Sequence, residues 1–257
     1  MKKKIVSWIL GLLIIIWIGG SFYVRSKAPG SIFIPEQIAR SRQLTDFSFA
    51  YSRDLVTNKA GQKIEIITVP NNNSKNVILY FHGNAGRVTD ILQKASSIAT
   101  VVSPAYPGYG ESEGNPTEAN FYETADLTMK YLLNKGYSQN QIIILGHSLG
   151  GADAVYTAEK YPQVQKLILV NTFDSVFSFC WPKFNILCTF TYNYLNSDQL
   201  AHHLTVPTRE FHDLADAVIP YSQGQELFKA VSSPDKKFET IPGTHSSFDV
   251  LHVLQSE

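Results

Sequence analysis

The sequence Gly146-His147-Ser148-Leu149-Gly150 stands between an apolar run, Gln141 to Leu145, and a helix-compatible stretch, Gly151 to Lys160. Few chain geometries accept that arrangement. A strand must turn into a helix within a few residues. Glycines therefore flank the turn, and the serine between them is lifted clear of the backbone. Such a nucleophile elbow presupposes a sheet whose strands are followed by helices.

The rest of the chain supplies that sheet. Phe47 to Val56 and Gln62 to Val69 alternate apolar and polar residues about the turn Asn58 to Gly61, which predicts a hairpin. Asn76 to Phe81, Thr100 to Ser103, Gln141 to Leu145, Lys166 to Val170 and Lys237 to Ile241 read as strands. Val88 to Ile98, Pro116 to Asn134 and Phe248 to Leu254 read as helices, with Pro116 in the first turn of its helix. Strands alternating with helices predict the α/β class, with a mostly parallel, doubly wound sheet covered on both faces. Binding sites in such sheets lie at the carboxyl ends of the strands.

Composition narrows the function classes. At 257 residues and 44% hydrophobic content the chain suits one large core. Its net charge of zero and lack of a basic stripe exclude a nucleic-acid partner. Cys180 and Cys188 have no accompanying cluster of metal-ligand spacing, so no metal is expected. The two cysteines either pair in an oxidising compartment or stay as buried thiols.

Lys2-Lys3-Lys4 precedes an uncharged run from Ile5 to Val24, long enough to cross a bilayer as a helix. Gly19-Gly20-Ser21-Phe22 is a poor cleavage site. Residues 1–27 therefore read as a retained transmembrane signal anchor, with the lysines cytoplasmic and the domain on the other side. Cleavage would instead leave a secreted or periplasmic protein. Residues 28–46, with Pro29-Gly30 and Pro35, read as a juxtamembrane linker, and residues 47–257 as the folded domain.

Phe81-His82-Gly83-Asn84-Ala85-Gly86, then Tyr106 to Gly114 with Pro116-Thr117-Glu118, then the elbow, follow one another in order. Together these motifs resemble the α/β-hydrolase superfamily, and within it the membrane-associated Bem46-like hydrolases, over roughly residues 47 to 257. Pro107 stands where that group usually has Arg. The resemblance implies an α/β-hydrolase fold with a short cap insertion, serine hydrolase activity and no cofactor.

Ser148 is the expected nucleophile, and a serine hydroxyl needs a base to take its proton. His245, in Gly243-Thr244-His245-Ser246, occupies the family's base position. His82, His147, His202, His203, His212 and His252 compete with it. The acid comes between serine and histidine in this fold. Phe211 to Pro220 resembles the family's HGxxDxxVP, which puts Asp216 in the acid place; Asp213 also follows the strand and stays open as the alternative. The backbone amides of Leu149 and Asn84 are the expected oxyanion donors, the first helped by the helix N-terminus.

Two features fit this pattern poorly. Arg209 and Glu210 in the strand before the acid are costly unless paired, and Asp153 lies early in the elbow helix. The insertion from Thr172 to Val206 is rich in aromatics, among them Phe173, Phe177, Phe179, Trp181 and Tyr194. They either receive an apolar, lipid-like acyl group or pack the cap onto the sheet. The expected reaction is hydrolysis of a carboxylic ester or thioester through an acyl-enzyme. The alternatives are peptidase or amidase chemistry on the same triad, or a non-catalytic, membrane-anchored binding module.

Overall fold

Alternation along the central strands decides how the chain layers. In β3 (Val77–Phe81), Val77, Leu79 and Phe81 enter one core while Ile78 and Tyr80 enter another. β5 (Ile142–His147) and β6 (Lys166–Val170) split the same way: Ile142, Ile144, Leu167 and Leu169 go to one side, Ile143, Leu145, Ile168 and Val170 to the other. A strand apolar on both faces must be sandwiched between helices.

The computed structural model describes residues 7–12, 14–20, 32–33, 49–84, 88–184 and 194–256. The remaining strands are β1 (Ser52–Thr57), β2 (Lys63–Val69), β4 (Thr100–Pro104), β7 (Thr208–Asp213) and β8 (Lys236–Ile241). Helices α1 (Val88–Ala95) and α7 (Val250–Gln255) cover one face. On the other face lie α2 (Glu118–Asn134), α3 (Gly150–Lys160), α5 (Ser197–Ala201) and α6 (Tyr221–Ala230). Helix α4 (Val176–Phe184) lies between β6 and β7, in the stretch expected as a cap. The sheet order is β1-β2-β4-β3-β5-β6-β7-β8. β2 runs antiparallel to both its neighbours, and the other pairings are parallel. The winding direction reverses between β3 and β5, which opens a crevice above their carboxyl ends.

Several expected boundaries move for local reasons. Helix α2 begins at Glu118, not Pro116, because the Thr117 side chain caps it by accepting from the Asn120 amide. A 3₁₀ turn at Gln139–Gln141 delays β5 to Ile142. Asp249 caps α7 by accepting from the Leu251 and His252 amides, so that helix starts at Val250 rather than Phe248.

The stretch expected as a linker is not a bare tether, because Phe33 is buried in the larger core. Residues 7–12 and 14–20 are helical, with Trp8, Ile9, Ile15 and Ile18 exposed. Among the described residues no helix is long and apolar enough to cross a membrane. Cys180 is disulfide-bonded. Cys188 lies outside the described residues, as do residues 85–87 and 185–193.

Candidate active site

The elbow is built by contact that excludes side chains. Ser148 has φ 53°, a left-handed conformation that serine adopts only under constraint. Its amide is fixed by the Val170 carbonyl at 3.0 Å. A Cβ on Gly150 would lie 2.1 Å from the Phe81 carbonyl oxygen, and one on Gly151 would lie 1.9 Å from Thr172 Oγ1. The start of α3 therefore presses on the end of β3, bringing the elbow against the loop that carries Gly83 and Asn84. A Cβ on Gly83 would meet both His147 and Ser148 at 3.2 Å.

Three residues far apart in sequence meet in a line. Ser148 Oγ lies 2.8 Å from His245 Nε2, and His245 Nδ1 lies 2.7 Å from Asp216 Oδ2. Asp216 Oδ1 accepts from the amides of Val218 at 2.7 Å and Ile219 at 2.9 Å. Burial alone would raise the Asp216 carboxyl. The His245 bond and the two amides outweigh burial and hold it below its ordinary value. Asp216 is thus an anion beside Nδ1, which fixes the tautomer that leaves Nε2 free to accept the serine proton.

The competing residues have other partners. Asp213 caps the turn, its Oδ1 accepting from the Ala215 amide at 2.8 Å. His82 Nδ1 donates to the Gly83 carbonyl at 2.7 Å, and its ring packs on Tyr106. His212 is buried behind the acid, donating Nε2–H to the Ile219 carbonyl at 3.1 Å. His202 and His203 are exposed after α5. His252 pairs with Glu239.

His147 and Asn171 do more than the sequence suggests. Burial, then the neighbouring His245, lowers His147 to about 4, so it is neutral. Its Nε2–H donates to the backbone carbonyl of His245 at 2.7 Å. Asn171 Nδ2 donates to the same carbonyl at 3.1 Å, and Asn171 Oδ1 accepts from the Asp213 amide at 2.8 Å. His245 is therefore held by its backbone as well as by its ring. The one signal in the sequence is position, since both residues stand at carboxyl ends of central strands.

The poorly fitting residues resolve differently. Arg209 pairs with Asp235 at 2.8 Å. Glu210 is fully buried, neither of its oxygens has a hydrogen-bond partner among the described residues, and burial pushes its carboxyl well above the usual range. Asp153 is also fully buried and raised by burial. In both, burial disfavours the charged form. In the cap, Phe173 is buried, Phe179 packs against the core, and Tyr194 packs near Phe33.

Leu149 stands at the N-cap of α3. The amides at a helix start have no partner within the helix, and the dipole there favours negative charge. Asn84 follows β3 across the crevice, and Tyr106 Oη ties down the carbonyl of neighbouring His82 at 2.8 Å.

Known proteins share this architecture. The family described as having the alpha/beta hydrolase fold matches residues 76–198. The chain is 29% identical to the uncharacterized membrane protein YNL320W of Saccharomyces cerevisiae over 201 residues, 72% of this chain and 69% of that one. It is 30% identical to protein bem46 of Schizosaccharomyces pombe over 183 residues, 66% of this chain and 60% of that one. Among solved structures, the Pyrococcus furiosus esterase Pf2001 superposes with a TM-score of 0.65 at 14% identity, over 79% of this chain and 87% of the esterase. The sequence relatives and the shared fold together support an α/β hydrolase similar to the Bem46-like family.

Proposed function

We propose that this chain is a membrane-anchored serine hydrolase that cleaves a carboxylic ester or thioester through an acyl-enzyme. The observation that carries this is the hydrogen-bonded line from Ser148 Oγ through His245 to Asp216. In this scheme His245 Nε2 takes the Ser148 proton as Oγ attacks the substrate carbonyl. The oxyanion forms against the amides of Leu149 and Asn84. His245 then passes its proton to the leaving alcohol or thiol, and the acyl group stays on Ser148. Water, deprotonated by the same His245, releases the acid and restores the serine.

The esterase Pf2001, similar in fold, supports acyl chemistry on this framework. Anchoring through residues 1–27, with the domain non-cytoplasmic, is supported by the apolar run from Ile5 to Val24 behind three lysines. It is also supported by the naming of YNL320W as a membrane protein. The catalytic domain runs from about residue 47 to the last residue, with the cap from about 172 to 206.

The test is labelling of the full chain in detergent with a fluorophosphonate probe. Wild type is expected to label, and Ser148→Ala and His245→Ala are expected not to. A folded wild type that neither labels nor turns over an ester would overturn the hydrolase assignment in favour of a binding module.

A further inference from the structure

The loop expected to hold the oxyanion is tied from two directions. Tyr109 Oη donates to Asn84 Oδ1 at 2.5 Å. Asn84 Nδ2 donates to the backbone carbonyl of Ile32. Tyr109 follows β4 and belongs to the body of the domain. Ile32 belongs to the stretch that joins the apolar N-terminal helix to that body.

The next residue explains why Ile32 stays in place. Phe33 is 1% exposed. Its ring lies 4.5 Å from that of Phe121 in α2 and 6.4 Å from that of Tyr194 in the cap. Phe121 stacks on Tyr106 at 4.0 Å, and Tyr106 Oη holds the His82 carbonyl just ahead of Gly83 and Asn84. Phe33 thus rests on the aromatic frame that supports the oxyanion loop and on the cap. A free linker has no cause to bury a phenylalanine; a burial of this kind fixes the neighbouring backbone of Ile32.

We propose that Ile32 and Phe33 form a strap that sets the position of the Asn84 amide, so that the segment next to the anchor is part of the active-site framework. Both are positioning residues, and neither touches the reacting atoms. The proposal rests on the reading of Asn84 as an oxyanion donor. Loss of Phe33 frees the Ile32 carbonyl from Asn84 and lets the loop amide drift from the oxyanion. The effect falls on the transition state, where charge develops, and not on substrate binding.

The experiment uses the full chain in detergent, with kcat and KM measured on a short p-nitrophenyl ester. Removing an oxyanion donor outright costs about 100-fold or more in kcat, and misplacing one costs less. Phe33→Ala is expected to lower kcat about tenfold with KM changed less than about twofold. Phe33→Leu, which refills most of the space, is expected to recover most of the loss. Asn84→Ala keeps the backbone amide but cuts both side-chain ties, so Phe33→Ala added to it should cost little more.

A second readout is amide hydrogen exchange of the stretch around His82 to Asn84, expected to quicken in Phe33→Ala. Unchanged kcat in a folded Phe33→Ala variant, whatever its melting temperature, overturns the strap. If Phe33→Ala does not fold, Asn84→Ala decides, since it cuts the tie to Ile32 directly: a folded Asn84→Ala variant with unchanged kcat overturns the strap. A wild type without turnover, whose loop exchange still responds to Phe33→Ala, sinks the hydrolase assignment and leaves the tie to the loop standing. Unchanged exchange in that inactive protein removes both.

Discussion

Asn171 offers a test in which backbone strain and side-chain bonding separate. The residue is fully buried and has φ 48°, in the left-handed region. Its Oδ1 accepts from the Asp213 amide at 2.8 Å, and its Nδ2 donates to the His245 carbonyl at 3.1 Å. One side chain therefore joins the start of the acid loop to the base loop. Asn171→Ala keeps the left-handed backbone and loses both bonds. The strain is worth about 1 kcal/mol relative to Gly. A buried amide left without an acceptor costs about 1–3 kcal/mol. The alanine variant should thus lose about 2–4 kcal/mol, and Asn171→Gly only the second part, about 1–3 kcal/mol. Catalysis divides differently. Both variants release the His245 carbonyl from Asn171, so both should lose kcat alike, by about 10- to 100-fold, as the base drifts from Ser148. Urea unfolding gives the stabilities, and turnover of a p-nitrophenyl ester at saturation gives kcat. A glycine variant with full kcat would refute the clamp and reduce Asn171 to a residue that tolerates its backbone angle.

Two further outcomes follow from packing and charge. Gly150→Ala would place a methyl 2.1 Å from the Phe81 carbonyl oxygen and 2.7 Å from that of His82, both backbone atoms. The elbow helix must then back away from β3, and kcat should fall at least about 100-fold with about 1–3 kcal/mol of stability; near-normal probe labelling of this variant would count against the elbow contact. Burial holds the native Glu210 carboxyl well above the ordinary 4.5 at which an unfolded one ionises. Above that pH the native state holds a proton that the unfolded state has released, so stability falls as pH rises, by up to about 1.4 kcal/mol per pH unit from this group. Glu210→Gln removes that contribution and should be stabilised relative to wild type increasingly as the pH rises above the ordinary carboxyl range. Parallel stability curves for the two proteins above that range would show that Glu210 is ionised when folded.

The layering of the sheet was legible because each central strand is apolar on both faces and ends in a turn. Lys166 to Val170 is a strand within the bounds its residues suggest. Ser148, His245 and Asp216 were legible as candidates because chain order and loop position single them out among many serines, histidines and aspartates. What stayed hidden depends on contact across the fold. Nothing near Asn171 or His147 announces a bond to a carbonyl on a loop so distant in sequence. Phe33 stands among Pro29, Gly30 and Pro35, and a local reading of that composition gives a linker. Its burial is set by Phe121 and Tyr194, which lie far along the chain. Arg209 and Glu210 argued against a buried strand, yet ladder bonds on both sides and one partner, Asp235, keep them there.

The sheet order explains why His245 needs so many ties. Ser148 follows β5, while His245 lies on the loop after β8, with β6 and β7 in between. That loop must run back across two strand ends to reach the elbow, and it has no ladder of its own there. It is closed on itself by the paired amides and carbonyls of Thr244 and Ser247, each at 3.0 Å. It is then gripped at the His245 carbonyl by His147 at the end of β5 and by Asn171 after β6. Two of the three non-glycine residues with left-handed backbone among the described residues, Ser148 and Asn171, each directly follow one of these adjacent strands. Each has its amide bonded to the next strand's last residues, Ser148 to Val170 at 3.0 Å and Asn171 to Phe211 at 2.9 Å. The ladder thus extends one residue past β5 and β6 and imposes the unusual backbone angles there. Strain of this kind persists only where surrounding bonds over-determine it. The same two ladder steps that force Ser148 outward also aim Asn171 at the His245 carbonyl, so both ends of the Ser148–His245 hydrogen bond are set by one piece of sheet.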